Sequence, residues 1–272
     1  MTFANKYFTL KEIAMKIQKP YYRIMRPGSV FISRYVLDPR YASNRKQLGR
    51  VYLNLENKLN KILDYVEPDE RNLKTFSIEL YTLLLRACTE VETNCKLILS
   101  ANGVSEKKLK NIKDYSMLEQ SSRLSEYRVK YQDWKEYNPD TQQVKYIEKE
   151  FRPFQCFAER NSPKWYSDYN QVKHDRERNL HLANLENCMN AVAAVLVLLY
   201  SQFGTFGVPN YGQPVFWLSG DESDYPINND SFFILEPPIS WKEDERYNFE
   251  WEKIRNQENP FATYPFERNA EK

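Results

Sequence analysis

Residues 72–100 constrain the fold more than any other stretch, because their apolar side chains occupy most sides of a helix. Other helices must cover such a surface, so this helix is predicted to lie inside a bundle. Arg86, Glu90 and Glu92 interrupt the apolar surface, and Asn102 and Gly103 form a typical C-terminal signal. The apolar positions are Leu73, Phe76, Leu80, Leu83, Leu84, Ala87, Cys88, Val91, Cys95 and Ile98.

Two more long helices are predicted, at residues 44–66 and 174–203. In the first, the apolar residues follow one helical face, which is typical of a helix packed on a core. A fourth helix is expected at 105–118 or at 163–173. The apolar run at 191–200 is about half of the ~20 residues that a membrane span needs, so no membrane contact is predicted.

A helix start is indicated by Ser162 as a capping residue and by Pro163 at the first helical position. Helical periodicity continues from there to Gly204. The polar residues between 175 and 179 could lie within one long helix or between two helices. The sequence leaves open whether 163–203 is one helix or two.

The predicted fold is mainly α: a helical bundle of four or more helices, with a small β hairpin insertion and an aromatic, Pro-rich C-terminal wrap. We expect a single domain over 1–272. Its parts are an N-terminal helix and arm at 1–43, a bundle core at 44–203 with the insertion at about 124–160, and a loop-rich C-terminal extension at 207–272.

Shorter elements of secondary structure are also predicted within these parts. Thr9 opens a capping box for a helix that runs to about Gln18. Residues 124–131 and 144–147 alternate like the strands of a hairpin, and Pro139-Asp140 suits the turn between them. Residues 232–235 are a further candidate strand.

Composition excludes several classes of protein. The net charge is only +2, from 39 basic and 37 acidic residues, so a nucleic-acid site would have to be a local patch. Only 7 glycines are present, without a dinucleotide-binding or P-loop motif, so no nucleotide cofactor is expected.

The four cysteines lack paired ligand spacing, which predicts reduced thiols and no zinc site; they are Cys88, Cys95, Cys156 and Cys188. The N-terminal residues contain no apolar signal-peptide core, so the protein is predicted to be cytoplasmic.

The segment 165–181, WYSDYNQVKHDRERNLH, holds both of the chain's 2 histidines. On a continuous helix one row would contain Asn170, His174, Arg178 and His181, with Lys173 beside it. Such a row could bind a phosphate, move a proton, or tie helices together. Lys173, His174, Arg178 and Asn170 are the predicted substrate-binding residues. No metal is expected, because a third histidine is missing and spacing fixes no acidic partner.

The stretch Arg176-Glu-Arg-Asn-Leu-His181 has the form R-x4-H and lies at the head of a long, late helix. It resembles the HEPN superfamily, helical bundles in which an R-x4–6-H motif forms a metal-independent RNase site. The run from Tyr169 to Arg176 (YNxxKHDR) is also similar to a pattern in uncharacterised bacterial proteins of this helical kind. The resemblance covers about 44–203 as architecture and six residues as motif.

The resemblance implies a role for each matching residue. Arg176 would stabilise the scissile phosphate, His181 would act as general base or acid, and Asn179 would be a polar helper. It also implies RNA as the ligand, no cofactor, a homodimer, and a place in toxin–antitoxin or antiviral defence. Glu177 departs from the pattern, since many of these motifs have a small polar residue after the arginine.

Two alternatives accompany this interpretation. Many HEPN-like proteins are inactive relatives, so the chain is predicted either to bind RNA or to cleave it. A function of another class is a non-catalytic protein–protein interaction module, in which the aromatic segment at 207–266 docks a partner. The position of Arg176 and His181 distinguishes the two functions. If they line an open cleft or a two-fold interface with Lys173, the RNA function is favoured. If they are buried in salt bridges to Glu90 or Glu92, their role is structural.

Overall fold

The computed structural model of the chain describes residues 17–29, 32–109, 111–207 and 232–266. It is about 52% helical with a small three-stranded antiparallel sheet, which confirms the mainly-α prediction. The helix expected at 9–18 lies outside the described residues except for its last two positions. There, Ile17 forms a parallel β-bridge with Tyr247.

The first helices are α1 (Ile32–Tyr35), α2 (Arg45–Leu63) and α3 (Ile78–Ala101). The position of α2 confirms the prediction for 44–66. The expected start of α3 at Asn72 was wrong, because Glu70–Asn72 forms a separate 3₁₀ turn. Ser77 then caps α3, its Oγ accepting a hydrogen bond of 3.1 Å from the Leu80 amide.

The single helix predicted at 105–118 was wrong. The chain instead forms a 3₁₀ turn at Glu106–Lys108 and two short helices, α4 (Ile112–Tyr115) and α5 (Leu118–Ser122). Leu109 is extended, and Asn111 restarts the helix in a capping box with Asp114. Local side-chain capping thus divides a segment whose periodicity favours one helix.

The predicted hairpin is present as β1 (Arg128–Asn138) and β2 (Gln143–Phe151), which pair antiparallel. A register shift between Tyr131 and Trp134 forms a bulge in β1. The third strand, β3 (Ile234–Glu236), pairs antiparallel with β1, giving the sheet order β2-β1-β3. It agrees with the candidate strand at 232–235 to within two residues.

The start predicted for the helix at 174–203 was wrong, while its end and the alternative fourth helix at 163–173 are confirmed. The chain forms α6 (Lys164–His174), α7 (Arg176–Asn179) and α8 (Leu185–Phe203). Helical geometry breaks at Asp175, with φ −145° and ψ 81°, and this residue caps α7. A 3₁₀ turn follows at Leu180–Leu182. Asn184 then caps α8 by accepting a hydrogen bond of 3.1 Å from the Asn187 amide.

The helix α8 is buried on nearly all sides and packs against α2, α3 and α6. Among the described residues, Leu185–Phe206 is long and apolar enough to cross a membrane, but 83% of its most apolar window is buried inside the protein. Such burial is typical of a core helix.

Residues 17–29 and 32–42 contact residues 232–266, which include the short helix α9 (Trp251–Ile254). Ala262 exchanges backbone hydrogen bonds with this arm, donating to Pro20 at 3.0 Å and accepting from Tyr22 at 3.1 Å. The buried Arg26 guanidinium lies 4.7 Å from the Trp241 ring centroid and donates to the Glu245 carbonyl at 2.6 Å. Two distant parts of the sequence therefore share one packed layer.

A buried polar chain closes the C-terminal end of α8. The side chain of Gln202 forms both links: its Nε2 donates to Asn94 Oδ1 at 2.8 Å, and its Oε1 accepts from the Arg23 guanidinium at 3.0 Å. Burial lowers the pKa of the Arg23 guanidinium, so this cation depends on its hydrogen-bond partners.

We expect Gln202→Leu to lower the free energy of unfolding by about 3 kcal/mol, because it leaves a buried guanidinium and a buried amide short of a partner. Urea denaturation followed by circular dichroism measures the change. The matched control is Gln47→Leu at an exposed position of α2, which should change stability by less than about 0.5 kcal/mol. Equal effects of the two substitutions would contradict the role of this chain.

Candidate functional site

The predicted site residues lie on the surface formed by the end of α6, by α7 and by the following 3₁₀ turn. Lys173, His174, Arg176, Arg178 and His181 are exposed. Asn170 and Asn179 are half-buried. The proposed helical row of Asn170, His174, Arg178 and His181 does not exist, because the break at Asp175 ends α6 before the row is complete.

Lys173 is held beside a tyrosine of its own helix. Its Nζ lies 5.3 Å from the ring centroid of Tyr169. The hydrogen bond with the Tyr169 hydroxyl raises the pKa of Lys173, so the side chain stays cationic at neutral pH. Tyr169 is in turn fixed to α3, where its hydroxyl donates to Glu92 Oε1 at 3.4 Å, while Tyr166 donates to the same oxygen at 2.8 Å.

Arg176 reaches across to the first turns of α3. Its guanidinium carbon lies 5.6 Å from the ring centroid of Tyr81. Neither Arg176 nor Lys173 forms a salt bridge with any carboxylate in the described ranges. Both cations are therefore supported by ring faces and remain available to an anion from solvent.

Arg178 and Asn179 are tied to the α7 cap. Arg178 Nε lies 3.7 Å from Asp175 Oδ2, and 87% of the arginine side chain is exposed, so this pair is a weak surface contact. Asn179 Nδ2 donates to the Asp175 carbonyl at 3.0 Å, which closes the turn between α6 and α7. The geometry gives Asn179 a structural contact within the turn.

The two histidines occupy different positions. His174 lies at the C-terminal end of α6, and His181 lies in the 3₁₀ turn before α8. The side-chain Nδ2 of Asn184 donates to the His181 backbone carbonyl at 3.3 Å, which fixes the backbone of that turn to the α8 cap. The imidazole of His181 is exposed beside the same surface as the cations.

The burial of Arg176 and His181 in salt bridges to Glu90 or Glu92 is not observed. Glu90 pairs with Arg86 at 3.2 Å, and Glu92 accepts from the two tyrosines of α6. Glu177 is exposed on the short helix α7 together with the arginines. This surface thus carries three cations with Asp175 and Glu177 among them.

A concave region of the described residues lies elsewhere, between the end of β2, the 3₁₀ turn at Gln155–Glu159 and the first turns of α6 and α8. Two adjoining cavities of about 400 Å³ each share Arg152, Gln155, Glu186 and Asn190 as lining residues. Its charges are largely paired within the protein, since Arg152 contacts Glu150 at 2.6 Å and Lys74 contacts Glu186. Neither Arg176 nor His181 lines it.

Cys156 lines this concave region, where its thiol would have to be deprotonated to act as a nucleophile. Its Sγ donates to the Asn161 carbonyl at 3.3 Å. Burial raises the pKa of the Cys156 thiol to about 11, which makes the thiol a poor nucleophile at neutral pH. The other three cysteines are buried and free. Within the described ranges, no group of three His, Cys, Asp or Glu residues could hold a metal ion.

Two further residues of this surface, Tyr81 and Phe76, were not among the predicted site residues. Tyr81 supports Arg176, and Phe76 is 49% exposed next to the start of α3. In the sequence, both fit the pattern of an apolar helix. The signal that could have found Phe76 is Ser77, whose capping preference places Phe76 outside the helix.

Comparison with known proteins finds no matching family model, no matching curated protein and no matching solved structure. The function must therefore be argued from the residues of this surface.

We expect the native protein to react with a thiol reagent such as DTNB at one slow site, because a pKa of about 11 leaves roughly one thiolate per thousand Cys156 thiols at pH 8. The rate should rise steeply with pH towards pH 11. Stopped-flow absorbance measures it, with Cys156→Ser removing the slow phase and Cys88→Ser leaving it unchanged. A rate like that of free cysteine at pH 8 would contradict the raised pKa.

Proposed function

We propose that this chain is a cytoplasmic, HEPN-like protein that binds RNA through the surface bearing Lys173, Arg176, Arg178 and His181. The observation that carries the proposal is the support of Lys173 and Arg176 by tyrosine rings, with both cations free of salt bridges in the described ranges. Such cations attract phosphate groups without first breaking an ion pair. We place the protein in a defence or stress system, as a homodimer.

The proposed scaffold is a helical bundle of α2, α3, α6 and α8, over which the C-terminal segment is laid. This scaffold holds α7 and the 3₁₀ turn of His181 at its surface. Since α7 has a single turn, its position depends on the capping residue Asp175 and on the Asn179 side chain. The proposed RNA surface is therefore built on capped turns that a buried core supports.

RNA binding has more support than RNA cleavage. Arg176 and His181 have the R-x4-H spacing, but both are exposed, and the exposed Glu177 follows Arg176 on the same short helix. A phosphate bound there would have to approach Glu177, which opposes its charge. Cleavage is proposed as a further activity of the same surface, with Arg176 on the phosphate and His181 as acid or base.

The alternative interaction module has less support in the described residues. Its proposed anchors Trp241 and Trp251 are buried within the protein, with only 4% and 6% of their surface exposed. A buried anchor cannot dock a partner without unpacking. Trp217, which belongs to the same predicted segment, lies outside the described residues.

We expect Lys173→Ala and Arg176→Ala each to weaken RNA binding about fivefold, because each removes one phosphate contact. The slope of log K against log salt should become less negative by about 0.7 for each substitution. Fluorescence anisotropy with labelled RNA at several salt concentrations measures both. The control is Lys46→Ala, an exposed lysine of α2, which should leave affinity and slope unchanged. Equal behaviour of all three variants would remove this surface from the proposal.

Cleavage is tested separately, with purified protein in the presence of EDTA and with tRNA and total RNA as substrates. If the surface cleaves RNA, His181→Ala should reduce the rate by at least about a hundredfold, the contribution typical of one acid–base group. Lys46→Ala, an exposed residue of α2 outside this surface, is the control and should leave the rate unchanged. Gel analysis that finds no cleavage, or equal cleavage by the His181 variant, would leave RNA binding alone.

A further inference from the structure

Two large apolar side chains are exposed where the chain enters α3. Phe76 is 49% exposed and Ile78 is 54% exposed. They flank the capping residue Ser77, so neither is covered by the helix that follows. An exposed phenyl ring at a fixed position offers a flat apolar face to a ligand.

Phe76 is held firmly, despite its exposure. Its backbone forms an antiparallel β-bridge with Asn184. On either side of this bridge, the Leu185 amide donates to the Thr75 carbonyl at 3.0 Å and the Glu186 amide donates to the Leu73 carbonyl at 3.0 Å. The segment before α3 is thus fixed to the first turn of α8.

The same contacts place Phe76 beside the proposed RNA surface. Asn184, its bridge partner, donates its side-chain amide to the His181 carbonyl at 3.3 Å. Tyr81, in the first turn of α3 and five residues after Phe76, lies 5.6 Å from the Arg176 guanidinium. The exposed ring of Phe76, the turn that bears His181 and the ring-supported Arg176 therefore all lie at the junction of α3 with the turn before α8.

We propose that Phe76 is a base-stacking residue and that this surface takes RNA with unpaired bases. The inference rests on the proposed function and adds the form of RNA that binds. Proteins that hold single strands combine cations for the backbone with aromatic rings for the bases. In a duplex the base faces are stacked on one another and cannot meet a protein ring.

The surroundings of Phe76 favour a nucleic acid over a protein partner. A stable protein interface needs roughly 1,000 Å² or more of buried surface with an apolar centre. Here charged groups flank the two apolar side chains: Lys74 pairs with Glu186, Glu79 pairs with Lys58, and Arg176 lies against Tyr81 in the first turn of α3. The small apolar area and the adjacent cations match a base and its phosphate.

The experiment compares three labelled ligands by fluorescence anisotropy: a single-stranded RNA of about 12 nucleotides, an abasic strand of the same length, and the matching duplex. We expect the single strand to bind most tightly. Phe76→Ala should weaken its binding about tenfold and should leave binding of the abasic strand unchanged, because one base stack is lost and no phosphate contact is. Phe76→Trp should retain the affinity.

Ile78→Ala is the matched control, since Ile78 is exposed to the same degree beside Phe76 but has no π face. It should change binding by less than about twofold. Thermal unfolding of both variants shows that each is folded.

The outcomes separate this inference from the proposed function. If Arg176→Ala weakens binding of the single strand and Phe76→Ala does not, the stacking role is overturned and the RNA surface stands. The stacking role is also overturned if Phe76→Ala weakens the abasic strand equally, or if the duplex binds as tightly as the single strand. If sedimentation shows a dimer that both Phe76→Ala and Ile78→Ala dissociate, the patch is a protein interface and the inference fails. Failure of wild-type protein to bind any of the ligands would overturn the proposed function as well.

Discussion

The complete burial of α8 is the constraint on which the rest of the structure depends. A helix that is apolar on nearly all sides must be surrounded, and α2, α3 and α6 each supply one apolar face to it. Its two ends cannot be covered in this way, because helix termini carry unpaired backbone groups. Asn184 caps the N-terminal end of α8, and the Gln202 side chain, bonded to Asn94 and Arg23, lies at the C-terminal end. Buried polar side chains are thereby drawn to both ends of this helix.

The capped end of α8 explains why the candidate site is found where it is. The chain must leave α6, pass over the end of the core and enter α8, and it does so through two short turns. Neither turn has a core of its own, so their side chains extend into solvent. Lys173 and Arg176 there contact tyrosine rings and form no salt bridge among the described residues. Their charges stand beside those of Asp175 and Glu177, so the cations of this end are a local feature that the net charge of +2 does not reveal.

Periodicity predicted the elements whose stability comes from one apolar face, and it failed where side chains compete with the helix. The helix α2 was confirmed because its apolar row is unbroken. The start predicted for the helix at 174–203 was wrong because Asp175 and Asn184 accept backbone hydrogen bonds as caps, which a count of apolar residues does not register. The identities of Arg176 and His181 were readable from their spacing. Their exposure, and their proximity to Tyr81 and Phe76, depend on contacts between distant parts of the chain, which one sequence does not encode in any local pattern.

The layer formed by residues 17–29, 32–42 and 232–266 constrains the order in which the chain can fold during synthesis. Lys19 and Asn259 are 240 positions apart in the chain, yet they share a hydrogen bond of 2.8 Å. Arg26 cannot reach Trp241, nor Tyr22 Ala262, until residue 262 has been synthesised. Until then, residues 17–29 and 32–42 lack the contacts that 232–266 supply, among them the Tyr247 and Phe249 rings beside Tyr35. Long-range pairing of this kind slows folding and exposes apolar surface meanwhile. Closing this layer joins residues 240 positions apart, which carries the entropy cost of a long loop.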